Sequence, residues 1–139
     1  MKKEIYIKMK YLKEYVDNLR DMSSCTLQQL KQDKKLRGAV ERYLQLSIEI
    51  ALEVGEMIIA HEGLRKPKKH QEVIEILGEG GILPKAFAKK FAPAGGFRNI
   101  LVHMYEGIEV VEVYKNLKEI SDFDTFAKHI ALYLENKEE

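Results

Sequence analysis

A chain of 139 residues is long enough to bury its own core and, by length, is one domain spanning 1–139. Its 23 basic and 22 acidic side chains leave a net charge of +1, so a nucleic-acid surface must be a local patch and not a global field. The single cysteine, Cys25, excludes an intrachain disulfide and a multi-cysteine zinc site; no cofactor or metal is expected.

The first predicted element is a helix over residues 2–23, where Ile5, Met9, Leu12, Val16 and Leu19 recur at spacings of four and three and make one apolar stripe. Residues 24–36 are polar and basic without a period and read as a loop. A second helix is expected from Gly38 to His61. Its apolar residues alternate between Leu44 and Ile50, but Gln45, Glu49, Glu53 and Glu56 share one helical face, which decides against a strand. The rest of its surface is apolar, so this is the expected central helix. Gly55 marks a close approach of a neighbour, and Gly63 a C-cap. Arg65-Lys66-Pro67-Lys68-Lys69-His70 reads as a basic loop. A short helix follows over 69–77, ended by Gly78, and another over 84–91 with Pro84 in its first position. Pro93 and Gly95-Gly96 are expected to break or kink the chain. Helix then continues to about His103. Two more helices are expected, over 109–117 and about 122–136, the latter opened by a capping-box-like Ser121-Asp122-Phe123-Asp124. The fold class is all-α, a bundle of five or six helices with an antiparallel up-down core. No stretch of about 18 uncharged apolar residues exists to span a membrane, and Met1-Lys2-Lys3-Glu4 opens no apolar leader. A cytoplasmic protein is expected.

The chemistry concentrates in Arg98-Asn99-Ile100-Leu101-Val102-His103-Met104-Tyr105. Arg98 suits bidentate grip on a phosphate and charge stabilisation in its transition state. His103 suits general acid–base work near neutral pH, and Asn99 suits orienting an imidazole or a substrate hydroxyl. Metal-independent RNA cleavage needs a base for the 2′-OH, an acid for the leaving oxygen and a cation. Asn99 and His103 share a helical face, whereas Arg98 and His103 stand about 140° apart around the axis. The helix therefore ends or unwinds near His103, or the two meet at a groove edge, or a second chain completes the site. A two-fold dimer would bring two His103 side chains into one cleft. By spacing alone, an Arg and a His near a helix end also fit a purely structural role, since cations favour helix C-termini.

The chain resembles the HEPN superfamily, specifically the HepT-like toxin ribonucleases paired with a minimal nucleotidyltransferase (MNT) antitoxin. The pattern Arg-x4-His-x-Tyr stands as Arg98, His103 and Tyr105, with Asn99 after the arginine. Ala39-Val40-Glu41-Arg42-Tyr43-Leu44-Gln45, Gly63-Leu64-Arg65-Lys66-Pro67, Ile82-Leu83-Pro84 and Gly96-Phe97-Arg98-Asn99 extend the likeness, in order, over nearly the whole chain. Met104 departs from it: a smaller residue such as glycine is often found there, and methionine crowds the cleft mouth. The resemblance implies a HEPN fold and a homodimer whose two octets line one cleft. It implies a ribonuclease toxin of a type VII-like toxin–antitoxin pair, acting on RNA such as tRNA, with Arg98 and His103 catalytic and Asn99 supporting. It also implies adenylylation of Tyr105 by the cognate nucleotidyltransferase, which places charge and bulk beside Arg98 and His103. The alternative within the superfamily is a non-catalytic, nucleotide-binding helper subunit of a minimal nucleotidyltransferase.

Three lysines, Lys85, Lys89 and Lys90, share a face of the helix before the octet and are candidates for an RNA backbone track or simply a solvated face. The 65–70 loop is weighed the same way. Glu49 and Glu53 are expected to pair with Arg42 or Arg98. His61, His70 and His129 have no metal-site spacing.

Overall fold

Helix α3 (Lys34–Glu62) organises the structure, packing against α1 (Lys2–Met22), α2 (Leu27–Gln32), α4 (His70–Glu79), α6 (Pro93–His103), α7 (Val110–Lys118) and α8 (Ser121–Glu135). The remaining element, α5 (Lys85–Phe91), packs on α4 and α6. The computed structural model describes residues 1–104 and 107–137, and among these every regular element is a helix. The all-α expectation is met, with eight helices among the described residues in place of five or six.

One of the added elements, α2, comes from the stretch expected to be a loop. Thr26 caps α2 through its hydroxyl, which accepts from the Gln29 N–H at 3.1 Å, while the Gln29 side chain accepts from the Thr26 N–H at 2.8 Å. This reciprocal pair satisfies two of the donors left open at a helix start. Leu30 is the apolar anchor, fully buried. α3 then starts four residues before Gly38, because the Asp33 carboxylate accepts from the N–H groups of Lys35 and Leu36.

The central role of α3 follows from its surface. Val40, Leu44, Ile48, Ala51, Val54 and Ile58 are buried, whereas Glu53 and Glu56 lie on the exposed stripe. The expected arginine pairings of that stripe do not form: Glu53 takes Lys8 of α1 at 2.8 Å, and Glu49 accepts from Gln45 at 2.7 Å. Packing of α1 along α3 makes Lys8 the nearer cation. Gly55 has the close neighbour expected of it: a Cβ there would lie 2.6 Å from Val73 of α4. Gly63 ends α3 in the left-handed region.

Other boundaries move for packing reasons. α4 runs through Gly78 to Glu79, because Gly78 lies under Ala88 of α5 and not at a cap. Pro84 sits one residue outside α5. Pro93 does not break the chain; it opens α6, where its missing N–H costs nothing. Gly95 and Gly96 lie inside α6. The capping box at Ser121 does not form, and Ser121 is already helical. Asp122 instead accepts from Lys90 at 2.9 Å, tying α8 to α5. Phe91 meets Phe123 edge-on at 5.5 Å and Phe126 at 5.6 Å, so the same joint is also apolar.

Candidate functional site

The octet begins in the second turn of α6, and the backbone stays helical through His103. The Met104 N–H still bonds the Ile100 carbonyl, but Met104 itself leaves helical geometry. The helix thus ends at His103, as one of the expected alternatives had it, without unwinding before that residue. Arg98 and His103 keep the angular separation of a regular helix, which leaves a groove edge or a second chain to bring them together. Asn99 and His103 share one face, one turn apart. His103 and Met104 are exposed, while Arg98 and Asn99 are half-buried. Tyr105 lies outside the described residues. Just beyond it, the Arg37 guanidinium donates to the Ile108 carbonyl and to Glu41, anchoring the chain on α3 as it leaves the octet.

Asn99 is the centre of the polar contacts. Arg98 Nη1 donates to Asn99 Oδ1 at 3.2 Å. His70 Nδ1 lies 2.8 Å from the same oxygen. His70 is the first residue of α4, and nothing in its sequence context links it to a residue 29 positions later. The join is made by Gly95. An added Cβ there would lie 2.7 Å from the Gln71 nitrogen and 2.8 Å from the His70 carbonyl carbon. Only glycine lets the two backbones approach this closely. Asn99 follows Gly95 by one turn, on the same face of α6, and so meets His70.

A groove of about 830 Å3 opens beside this triad. Ile59, Leu64, Pro67 and Val73 give it an apolar side; Lys66, Lys68 and Lys69 line it against the single carboxylate of Glu56, and His70 and Asn99 line it as well. The loop carrying the lysines is clasped to α4. Arg65 binds Glu79 through two hydrogen bonds of 2.9 Å and reaches Glu72 at 3.4 Å, and the Lys68 N–H donates to Glu72 at 3.0 Å. Arg65 is thus committed to protein partners, and the three lysines stay exposed. The Lys68 N–H holds Glu72 below the ordinary carboxylate value, and the Arg65 guanidinium does the same for Glu79. A depressed carboxylate pKa stabilises the folded arrangement above the ordinary value of 4.5 and loses that contribution as pH falls through the lower folded value. Amide exchange at Leu64 and Lys68, measured relative to α3, should therefore be slow above pH 4.5 and quicken below it. An unchanged ratio across that window would show that the clasp does not hold the loop.

The predicted lysine trio is divided. Lys90 is taken by Asp122, whose carboxylate raises the Lys90 pKa. Lys85 and Lys89 line a separate groove of about 480 Å3 that also contains Glu75 and Glu79, so its charge is mixed. Among the described residues no three His, Cys, Asp or Glu side chains converge as a metal-holding group, and no helix is long and apolar enough to cross a membrane.

Residues 12–130 match the family described as "Ribonuclease HepT-like". The chain belongs to the HepT-like ribonuclease family. A tRNA nuclease HepT from Aphanizomenon flos-aquae (strain 2012/KM1/D3) is 26% identical over 136 residues, covering 97% of this chain and 92% of the relative. The cytosolic protein YutE from Bacillus subtilis superposes with a TM-score of 0.83 at 21% identity, over 96% of this chain and 90% of that one. The tri-AMPylated HEPN toxin of Shewanella oneidensis, solved in complex with its MNT antitoxin, superposes with a TM-score of 0.82 at 22% identity, over 92% and 96% of the two chains. These superpositions establish the HEPN-type helical fold, and family membership gives the activity class, a ribonuclease.

Proposed function

We propose that this chain is the toxin of a type VII-like toxin–antitoxin pair, a ribonuclease that cuts RNA, with tRNA as substrate class, without a metal ion. The observation that carries the reading is the placement of Arg98, Asn99 and His103 on the last turns of α6, with Asn99 lining a groove that Lys66, Lys68 and Lys69 also line, in a HepT-like chain. The groove suits an RNA strand: lysines for phosphates and apolar walls for sugar and base faces. Arg98 offsets the charge that builds on the phosphate. Asn99 orients the substrate. His103 takes the 2′-OH proton as the 2′-oxygen attacks phosphorus, and an imidazolium returns a proton to the departing 5′-oxygen. The products are a 2′,3′-cyclic phosphate and a free 5′-hydroxyl.

One His103 supplies one of the two proton transfers. We assign the other to a second copy, in a homodimer whose octets face each other. Ile100 and Met104 are 39% and 44% exposed, and Val111 is 49% exposed, a share of apolar surface that a partner would cover. A cognate MNT-type nucleotidyltransferase adenylylates Tyr105 and silences the site, in the cytoplasm. The complex solved for the Shewanella oneidensis toxin is the precedent for such a partner.

Two measurements on the full-length protein test this. The chain expressed alone should cleave tRNA in the presence of EDTA. Co-expression with a cognate MNT-type nucleotidyltransferase should add whole AMP units to its mass, at Tyr105, and stop cleavage. Nucleotide binding with no cleavage by the unmodified chain would favour the helper-subunit reading. AMP mapped elsewhere, with Tyr105 untouched, would overturn the switch.

A further inference from the structure

We propose that His70 is a positioning residue for RNA cleavage, fixing the Asn99 amide so that its NH2 group faces the substrate. This rests on the ribonuclease reading of the octet. The argument begins with Arg98. A guanidinium has only donors, so the Asn99 atom 3.2 Å from Arg98 Nη1 is the amide oxygen. The same oxygen lies 2.8 Å from His70 Nδ1, so that nitrogen carries the proton. The tautomer of His70 is thereby set: Nδ1–H donates to Asn99, and Nε2 is left as the acceptor of a side chain that lines the groove. Asn99 Oδ1 is engaged from both sides, and the amide plane is locked. The Asn99 NH2 group has no protein partner among the described residues and belongs to a side chain that lines the same groove. It is a fixed double donor one helical turn before His103, where a phosphate oxygen or a ribose hydroxyl would lie.

A single hydrogen bond from Arg98, its sequence neighbour, would leave Asn99 free to turn with that long side chain. The second bond comes from another helix, whose backbone is pressed on α6 at Gly95. That makes His70 the anchor to the rigid part of the fold. Residues positioned to about half an ångström contribute far more to rate than loosely held ones.

Three variants separate the roles, assayed on unmodified full-length protein with total tRNA. His70→Asn places an amide nitrogen close to the position of Nδ1 and keeps the bond to Asn99. His70→Gln places its nitrogen near the position of Nε2 and loses that bond. His70→Leu removes both. His70→Asn should keep kcat within about threefold of the parent, while His70→Gln and His70→Leu should lose roughly ten- to a hundredfold in kcat with little change in KM. In the parent, 15N spectra of the His70 imidazole should show the Nδ1–H tautomer, and Asn99→Ala should abolish that preference. Should His70→Leu fail to fold, the Asn and Gln pair alone decides. A folded His70→Leu as active as the parent overturns the proposal. So does His70→Asn as impaired as His70→Gln, because the work would then lie in Nε2 or in packing. Both results presuppose an active parent. A parent chain that cuts no RNA overturns the ribonuclease reading, and this role with it.

Discussion

Replacing His103 with alanine is expected to abolish RNA cleavage and toxicity while leaving the fold almost untouched. The imidazole is exposed at the end of α6 and contributes nothing to the buried core. Its largest structural contribution is as a cation near a helix C-terminus, about 0.3–1 kcal/mol when protonated. Loss of a general acid–base group costs about 10²–10⁴-fold in rate, and two copies would be lost from a shared cleft. Circular dichroism melts of His103→Ala should therefore overlay the parent within a few degrees, with cleavage below detection. Retained cleavage by a folded His103→Ala protein would sink the assignment of the octet. Arg98→Ala should fail as well, but less cleanly: it removes the phosphate cation and one of the two bonds to Asn99 together.

How much of this was legible beforehand depended on the range of the interaction. Asn99 and His103 are one turn apart, so helical geometry alone placed them on a common face. The stripe through Glu53 and Glu56 and the close approach at Gly55 were legible for the same reason, since periodicity over many turns averages out local exceptions. α2 was not legible, because six residues hold too few apolar positions to show a period. Its signal was the Thr26–Gln29 capping box, a pair of polar side chains easily read as loop. Polar pairings across helices were hidden. Lys8 with Glu53, Lys90 with Asp122 and His70 with Asn99 each depend on how two helices are packed, and nothing in the spacing along the chain encodes it. The octet supplied the chemistry of the site; the second histidine came only from three-dimensional packing.

The position on which that packing turns is Gly95, and it makes a sharp test beside Gly96. An added Cβ at Gly95 would meet the Gln71 nitrogen at 2.7 Å and the Gln71 Cα at 2.8 Å. These are backbone atoms of α4, so no rotamer change relieves the contact and the two helices must part. At Gly96 the nearest atom is the Gln71 side-chain oxygen at 3.6 Å, an ordinary contact. Both glycines are helical, so alanine gains about 1 kcal/mol of helix propensity at either one. That gain cancels between the two variants. Their difference isolates the overpacking at Gly95, about 1–3 kcal/mol. Gly96→Ala should raise the unfolding midpoint, and Gly95→Ala should fall below Gly96→Ala by that amount. Parting α4 from α6 also pulls His70 from Asn99, so Gly95→Ala should lose cleavage out of proportion to its loss of stability. Equal stability of the two variants would show that the helices are not held in the register on which the site is built.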